Sequence, residues 1–271
     1  MFAKVPLVLA QTDEYARRFK ELGCSNVIVS SSLKYDTADT DAKVPGADVL
    51  AAQLLEKFEI RNSKFEIPLW VAGGTGNDEE AILLDVYQQL KQDARFADLR
   101  LAIVPRKPER FDEVAQLIKE KGFHLIRYSS IKKGDRRQDS DSGQKSRIDA
   151  IILGDTMGDL RKFYSLASII FVGRSLVPMG GSDMMEAAAL GKCTIFGPHA
   201  FNFKQTVDAL LADNGAILIN NKKELLGAMK KCLTNPAFAQ QIAQNGRKVI
   251  MKNQGATKKT IKKITDFLPA A

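Results

Sequence analysis

The sequence predicts a doubly wound α/β fold, in which helices cover both faces of a parallel β-sheet. Short apolar runs recur along the whole chain, and most of the stretches between them have helical periodicity. Because parallel strands need long crossover connections, this alternation favours crossover helices packed on both sheet faces. The 45% hydrophobic and 27% charged fractions are typical of a packed globular protein. A chain of 271 residues is long enough for one large α/β domain, or one domain with part of another.

The predicted strands are short and end in glycine, proline or polar turns. They cover residues 5–10, 26–30, 67–73, 99–104, 123–128, 148–154, 168–173, 193–197 and 215–220. Helices are predicted between them at 78–90, 110–122, 158–167 and 182–190. Gly191 is expected to end the last of these helices. Residues 30–53 contain no apolar run, so they are interpreted as a connector between units.

The net charge of +8 limits the classes of partner. Basic residues crowd the C-terminal segment at Arg247, Lys248, Lys252, Lys258, Lys259, Lys262 and Lys263. They fit either a solvated helix face or an acidic membrane surface. Nucleic acid is not predicted as a partner, because Phe267 is the one aromatic residue among them that offers a stacking platform.

Targeting and redox signals are absent from the sequence. No run approaches the length needed to cross a bilayer, and residues 1–19 lack the pattern of a signal peptide. The three cysteines are far apart and form no CxxC pair. This usage fits a reducing compartment and predicts no zinc site.

Two predicted strand ends carry residues suited to anions. Gly73-Gly74-Thr75-Gly76 ends one strand just before a helix, a pattern that suits either an anion or simply a tight turn. It matches neither a P-loop nor the dinucleotide fingerprint. Arg106 follows the strand that Pro105 ends, and its planar guanidinium fits a phosphate or carboxylate. The alternative for Arg106 is an ion pair with a neighbouring helix.

The most informative stretch runs from the strand end at Gly173 to Gly191. Gly180 and Gly181 stand before the predicted helix at 182–190, where free N–H groups would suit a phosphate. Glu186 is placed to accept hydrogen bonds from ribose hydroxyls. Asp183 and Glu186 equally fit a capping box, which needs no ligand.

A fourth loop contains Pro198 and His199 after a strand, and Asn202 before the next helix. His199 fits ligand contact, acid–base chemistry or a purely structural role. No serine–histidine–acid set and no cluster of metal ligands stands out in the sequence. The pattern favours a site that binds and positions a nucleotide phosphate.

With these residues in place, the chain resembles the 3-deoxy-D-manno-octulosonic acid (Kdo) transferases through nearly its whole length. Several linked motifs carry the resemblance in the family's order. They lie in residues 7–36, 67–90, 104–114, 152–192 and 196–203. The most distinctive are VPRKPERFDEV, the stretch from the Gly180-Gly181 pair to Glu186, and FGPHAFNF.

The resemblance implies a two-domain GT-B glycosyltransferase that transfers Kdo from CMP-Kdo to a lipid A precursor in lipopolysaccharide synthesis. It implies inverting transfer with no metal and no cofactor, by an enzyme peripheral to the cytoplasmic face of the Gram-negative inner membrane. Donor binding is assigned to Arg106, Gly173, Gly180, Gly181, Ser182, Glu186, Pro198, His199 and Asn202. The string Asp139-Ser140-Asp141 spells the DxD of metal-dependent glycosyltransferases. It stands in the polar stretch 132–147, interpreted as a loop, so no metal site is predicted there.

In this interpretation residues 1–35 are the end of the N-terminal acceptor domain, which has too few strands here to close by itself. Residues 36–66 are the connector, and 67–271 form the CMP-Kdo-binding domain with a basic C-terminal helix. The family's membrane anchor, acceptor surface and catalytic glutamate are expected before Met1, so no catalytic residue is assigned.

Two departures from the family stand beside the glycine pair: Ser182-Asp183 replaces histidine-asparagine, and Ala187 replaces proline. An extra acid beside a phosphate should weaken anion binding. Two alternatives therefore remain open. One is another GT-B-type sugar-nucleotide enzyme such as a 2-epimerase. The other is a non-catalytic sugar-nucleotide-binding protein.

Overall fold

The computed structural model describes residues 2–58, 67–133 and 150–268. The predicted loop at 132–147 and its Asp139-Ser140-Asp141 string therefore lie almost entirely outside the described residues. The chain forms two compact units. The smaller comprises Met1–Thr40 with Lys248–Ala271, and the larger comprises Asp41–Arg247.

The larger unit is built on a seven-stranded parallel sheet of order β5-β6-β4-β3-β7-β8-β9. Its strands are β3 (Leu69–Thr75), β4 (Arg100–Pro105), β5 (Leu125–Arg127), β6 (Ile151–Leu153), β7 (Ile169–Val172), β8 (Cys193–Phe196) and β9 (Ile217–Leu218). Every residue of β3, β4, β6, β7 and β8 is buried. Burial on both faces explains why these strands read as continuous apolar runs in the sequence.

Helices cover the sheet in two groups. The helices of the larger unit are α2 (Ala47–Lys57), α3 (Glu79–Lys91), α4 (Phe111–Glu120), α5 (Tyr128–Lys132), α6 (Leu160–Leu166), α7 (Met185–Ala189), α8 (Lys204–Ala212), α9 (Lys222–Thr234) and most of α10 (Pro236–Asn253). Helix α3 contacts α4 and α9, whereas α6 contacts α2 and α7. Trp70 and Leu101 of the sheet pack in one apolar cluster with Leu83 and Tyr87 of α3. The predicted doubly wound α/β fold is confirmed.

The chain reverses its direction of winding at β3. After β3 it builds β4 on one side, and β7 later returns to pair with the other side of β3. The carboxyl ends of β3 and β7 are thus neighbours at the switch point, where Gly73 pairs with Val172. In open α/β sheets ligands bind in the crevice at this position.

The smaller unit contains β1 (Val8–Ala10) and β2 (Val27–Val29), which form a two-stranded parallel sheet, with α1 (Asp13–Glu21) and α11 (Ala256–Phe267). Asp36 caps α11, because its carboxylate accepts hydrogen bonds from the N–H groups of Gly255 and Thr257, each at 2.5 Å. These bonds lower the pKa of Asp36. None of the described helices is both long and apolar enough to cross a membrane.

Two sequence-based expectations about local structure were wrong. The stretch 30–53 contains the start of α2, which buries Leu50 and Leu54 and continues to a buried Phe58. These apolar residues recur at four-residue spacing, so they form a helical stripe rather than the continuous run sought in the sequence. The helix expected from Ser182 begins at Met185 and has five residues.

The domain boundaries at residues 35 and 66 stay a prediction. The compact units divide the chain at other places, between Thr40 and Asp41 and between Arg247 and Lys248. The basic helix α11 therefore groups with the N-terminal strands, not with the seven-stranded sheet. Sequence proximity had suggested the opposite assignment.

Candidate functional site

The site begins where β3 and β7 end, because glycines there allow two backbones to approach closely. A Cβ on Gly173 would lie 2.5 Å from Cα of Thr75, and a Cβ on Gly73 would collide with the ring of Tyr164. The N–H of Gly173 donates to the carbonyl of Gly73 at 2.9 Å. The two strand ends are thus held side by side at the switch point.

Glu79, at the start of α3, fastens the loops that leave β3 and β7. Its carboxylate accepts hydrogen bonds from four backbone N–H groups: Gly76 (3.1 Å), Ser175 (2.7 Å), Leu176 (2.8 Å) and Arg174. The residue is fully buried. Burial raises the pKa of Glu79, and the four N–H donors oppose that rise. This role of Glu79 was not predicted from the sequence, because three of its four donors lie 95 to 97 positions away.

The glycine pair is folded back onto the same strand ends. Gly180 and Gly181 have φ values of 89° and 84°, in the left-handed region that favours glycine. The N–H of Gly181 donates to the carbonyl of Arg174 at 2.8 Å, and that of Ser182 donates to Gly173 at 2.9 Å. These two N–H groups therefore have hydrogen-bond partners within the protein. The sequence-based expectation was that N–H groups at this position would be free to bind a phosphate.

The Ser182 side chain adds a third connection, because its hydroxyl donates to the carbonyl of Gly74 at 2.7 Å. Asp183 accepts a hydrogen bond from the N–H of Met185 at 2.8 Å, so it caps the short helix α7. The two residues that stand in place of histidine-asparagine thus have local structural roles here. Ser182 joins the glycine loop to β3, and Asp183 starts the helix.

Glu186 differs from Glu79 in having no hydrogen-bond partner for its carboxylate among the described residues. It lies half-buried on α7. Burial raises the pKa of Glu186, an effect that Asp183 reinforces and Arg161 opposes. The charges of Glu186 and Asp183 also raise the pKa of Tyr164, after burial as the main cause. The Tyr164 hydroxyl is itself buried and has no hydrogen-bond partner among the residues that the structure describes. The predicted capping box is therefore only half formed, through Asp183.

The loop after β8 closes on the glycine pair. The N–H of Asn202 donates to the carbonyl of Gly180 at 3.2 Å, and the Asn202 side chain fills the space that a Cβ on Gly180 would need. The N–H of His199 donates to the carbonyl of Ser175 at 2.9 Å. His199 is half-buried, whereas Pro198 is exposed. The structure therefore brings this loop to Gly173, Gly180, Gly181 and Ser182.

Arg106 joins the site through its backbone, because its N–H donates to the carbonyl of Thr75 at 3.1 Å. Its side chain is exposed and has no hydrogen bond or ion pair among the described residues. The ion pair considered for this motif is made instead by Arg110, whose guanidinium contacts Glu80 at 2.7 Å and Glu113 at 2.8 Å. Arg110 thus holds the motif in place and leaves Arg106 available to a ligand.

Within the described part of the chain, no group of three or more histidine, cysteine, aspartate or glutamate side chains is arranged to hold a metal ion. The polar side chains of the site are instead suited to hydrogen bonding. Arg106 offers a cation at the end of β4, and Glu186 offers a carboxylate whose charge acts on Tyr164, the side chain that packs against Gly73 of β3. Such a pair can bind a ligand that carries both an anionic group and hydroxyl donors.

No family model matches the chain. Among curated proteins it is similar to a 3-deoxy-D-manno-octulosonic acid transferase of Haemophilus influenzae, with 29% identity over 99% of this chain and 58% of the relative. The corresponding protein of Bordetella pertussis is 29% identical over 96% of this chain and 56% of its own length. The chain thus spans little more than half the length of these two relatives.

Solved structures give the same fold. The C-terminal CMP-Kdo binding domain of WaaA from Acinetobacter baumannii covers 76% of this chain at 27% identity, with a TM-score of 0.63 and 98% of that domain matched. Anabaena HepE in complex with UDP and glucose covers 97% of this chain and matches 63% of its own chain, at 13% identity and a TM-score of 0.56. The GT-B type of α/β fold predicted from the motifs is confirmed.

Proposed function

We propose, from the relationship of this chain to the Kdo transferases over almost its whole length, that its larger unit binds the sugar nucleotide CMP-Kdo. The resemblance predicted from the motifs is confirmed by the curated relatives. One observation in this chain carries the proposal. Four loops converge at the switch point of the sheet, and the side chains of Arg106 and Glu186 make no hydrogen bond among the described residues.

The proposed donor carries groups that complement both side chains. Its phosphate and the Kdo carboxylate are anions that a guanidinium binds through paired hydrogen bonds. Its ribose hydroxyls are donors for a carboxylate. We assign Arg106 to the anionic groups and Glu186 to the ribose. Gly173, Gly180, Gly181 and Ser182 shape the floor of the site, and Pro198, His199 and Asn202 form its wall.

We also propose the reaction of which this binding is a part: inverting transfer of Kdo to a lipid A precursor without a metal or cofactor, as part of lipopolysaccharide synthesis. The base that accepts the proton of the acceptor hydroxyl is not assigned to this chain. Glu79 is unsuited to that role because four N–H groups already surround its carboxylate. Glu186 is assigned to the nucleotide.

Calorimetry on the 271-residue chain tests the donor assignment. CMP should bind more tightly than UMP or UDP, because the site is proposed to select the cytosine nucleotide. Arg106→Gln should weaken CMP by about 1.5–3 kcal/mol, the usual contribution of a hydrogen bond to a charged group. Lys107→Gln is the matched control, since Lys107 is a neighbouring exposed cation. Tighter binding of UDP, or equal effects of both variants, would contradict the proposal.

A lipid acceptor requires contact with a membrane, and we propose α11 as the contact. Ile261 and Ile264 are exposed on this helix, three residues apart, and Leu268, directly after its end, is exposed as well. Lys258 and Lys262 are exposed beside them. An amphipathic helix with lysines flanking an apolar stripe favours an anionic lipid surface. In the proposed cellular setting this surface is the cytoplasmic face of the inner membrane.

Sedimentation with vesicles tests the membrane contact. The chain should bind phosphatidylglycerol vesicles and not phosphatidylcholine vesicles. The double variant Lys258→Gln/Lys262→Gln should reduce binding, whereas Lys119→Gln/Lys133→Gln removes two exposed lysines elsewhere and should not. Ile261→Ser should also reduce binding, because it removes apolar area from the same side. Equal binding by both double variants would show that net charge alone attracts the chain.

A further inference from the structure

A cavity lies at the edge of the sheet opposite the proposed donor site. It has a volume of about 390 Å³ and opens between the amino ends of three strands and the start of α10. Pro68, Ile169 and Cys193 mark the strand ends, and Pro236, Ala239 and Ala243 form the helical wall. Because all strands are parallel, this edge is remote from the loops that hold Arg106 and Glu186. Its volume is within the range of small-molecule sites.

The cavity is lined mainly by apolar groups, with a cation at its rim. Lys192 follows Gly191 at the end of α7 and is half-buried in the lining. Its ammonium has no hydrogen bond or ion pair among the described residues. Burial lowers the pKa of Lys192, and no neighbouring acid offsets that cost. None of the described residues that line the cavity is an aspartate or glutamate.

The start of α10 adds positive potential on the same side. This helix has 18 residues and begins at Pro236, so the positive end of its dipole lies at the cavity wall. The Lys231 ammonium, 3.8 Å from the centre of the Phe238 ring, is a further cation near the same helix start. A desolvated cation without a counter-charge costs free energy that an anionic ligand would recover.

We propose that this cavity binds a small amphipathic monoanion, namely a carboxylate carried on a short alkyl body. The carboxylate pairs with Lys192 at the rim. The alkyl body packs against Ile169, Leu233 and Ala239, where it removes apolar surface from water. This site is separate from the proposed donor site and does not depend on the proposed function.

The probe is octanoate, and octanol is its uncharged counterpart. Calorimetry on the 271-residue chain should show octanoate binding at least in the millimolar range, and more tightly than octanol. Lys192→Met keeps the apolar stem and removes the charge. It should weaken octanoate about tenfold or more and leave octanol unchanged. Lys223→Met, at an exposed lysine of α9, should change neither.

A second variant locates the ligand. Ala239→Phe fills the cavity from the partly exposed face of α10, so it should abolish binding of both octanoate and octanol. Thermal melting followed by circular dichroism verifies that each variant is folded. The proposal is overturned if octanoate does not bind, if Lys192→Met binds it as tightly as the wild type, or if Ala239→Phe leaves binding intact.

Discussion

At the scale of single residues, two glutamates of one site have opposite surroundings. Glu79 is fully buried and accepts four backbone hydrogen bonds, so its carboxylate is used to hold loops together. Glu186 is half-buried with no such bond among the described residues. The difference follows from where each side chain points, not from residue type. It supports the proposed division of roles, in which Glu79 holds the loops and Glu186 binds the nucleotide.

Glu186→Gln should weaken CMP more than 2′,3′-dideoxy-CMP, because only CMP has the ribose hydroxyls that the carboxylate accepts. The expected loss for CMP is about 1.5–3 kcal/mol, as for hydrogen bonds to a charged group. Calorimetry with both nucleotides measures it, and Glu109→Gln, at an exposed acid near Arg106, is the control. Equal losses for the two nucleotides would limit Glu186 to a structural role.

Glu79→Gln should lower the free energy of unfolding and weaken CMP together. A carboxamide has one acceptor oxygen, so some of the four N–H groups lose their partner, at about 1–3 kcal/mol for each buried group left unsatisfied. Urea unfolding and CMP titration measure the two effects. Glu113→Gln is the control, because its side chain is 60% exposed and its ion pair with Arg110 should contribute less than about 1 kcal/mol. If Glu79→Gln left the CMP affinity unchanged, the hydrogen bonds of Glu79 to the loops would not be needed for CMP binding.

At the scale of secondary-structure elements, the start of α6 is held by Asp159, which is buried. Its carboxylate accepts hydrogen bonds from Thr156 (2.6 Å), Lys162 (2.7 Å) and Lys132 of α5 (3.0 Å). Burial alone would raise the pKa of Asp159, but these three donors outweigh it and hold the pKa at about 2. The ionised carboxylate therefore joins two helices at the carboxyl edge of the sheet.

This arrangement predicts a pH dependence of stability. The pKa of Asp159 is below its ordinary value of 3.8, so its stabilisation is present above pH 3.8 and is lost as the pH falls towards about 2. The linkage relation gives a contribution of about 2 kcal/mol. Urea unfolding at several pH values between 2 and 5 should show a shallower acid loss for Asp159→Asn than for the wild type. A slope identical to that of the exposed-site control Asp98→Asn would rule this contribution out.

At the scale of the whole molecule, the described carboxylates near the donor loops are committed to holding or recognition. Transfer also needs a base and an acceptor held in line with the donor carbon. A positioned base contributes about 10²–10⁴-fold in rate, and bound geometry contributes more. In the proposed function, binding of the donor and transfer of the sugar can therefore be tested separately.

We expect the 271-residue chain to bind CMP and to transfer no Kdo to a lipid A precursor by itself. The assay supplies CMP-Kdo generated in situ, and the full-length Haemophilus influenzae relative serves as the positive control. Product at a rate near that of the relative would place the base within this chain. If the chain neither transferred Kdo nor bound CMP, the result would support neither the proposed donor-binding role nor the alternative of a non-catalytic sugar-nucleotide-binding protein.

The sequence alone determined the nine strands of this protein and the three helices α3, α4 and α6. All nine predicted strands are present, because buried parallel strands are apolar on both faces and leave continuous runs in the sequence. It also located the loops with unusual chemistry, since glycines, prolines and charges after a strand are local signals. Helix α2 was missed because its stripe around Leu50 and Leu54 is spaced at four residues.

Only the tertiary structure decided which polar groups have partners. Glu79 is bound by N–H groups of residues 95 to 97 positions away, and Ser182 by a carbonyl 108 positions away. Arg110 and Glu80 are likewise far apart in the sequence, by 30 positions, and form an ion pair. The Arg106 side chain takes no part in that pair and is exposed. Local patterns carry no information about such pairs, because the order of strands in the sheet sets which loops meet. The availability of Glu186 to a ligand is therefore a consequence of the sheet's winding about β3.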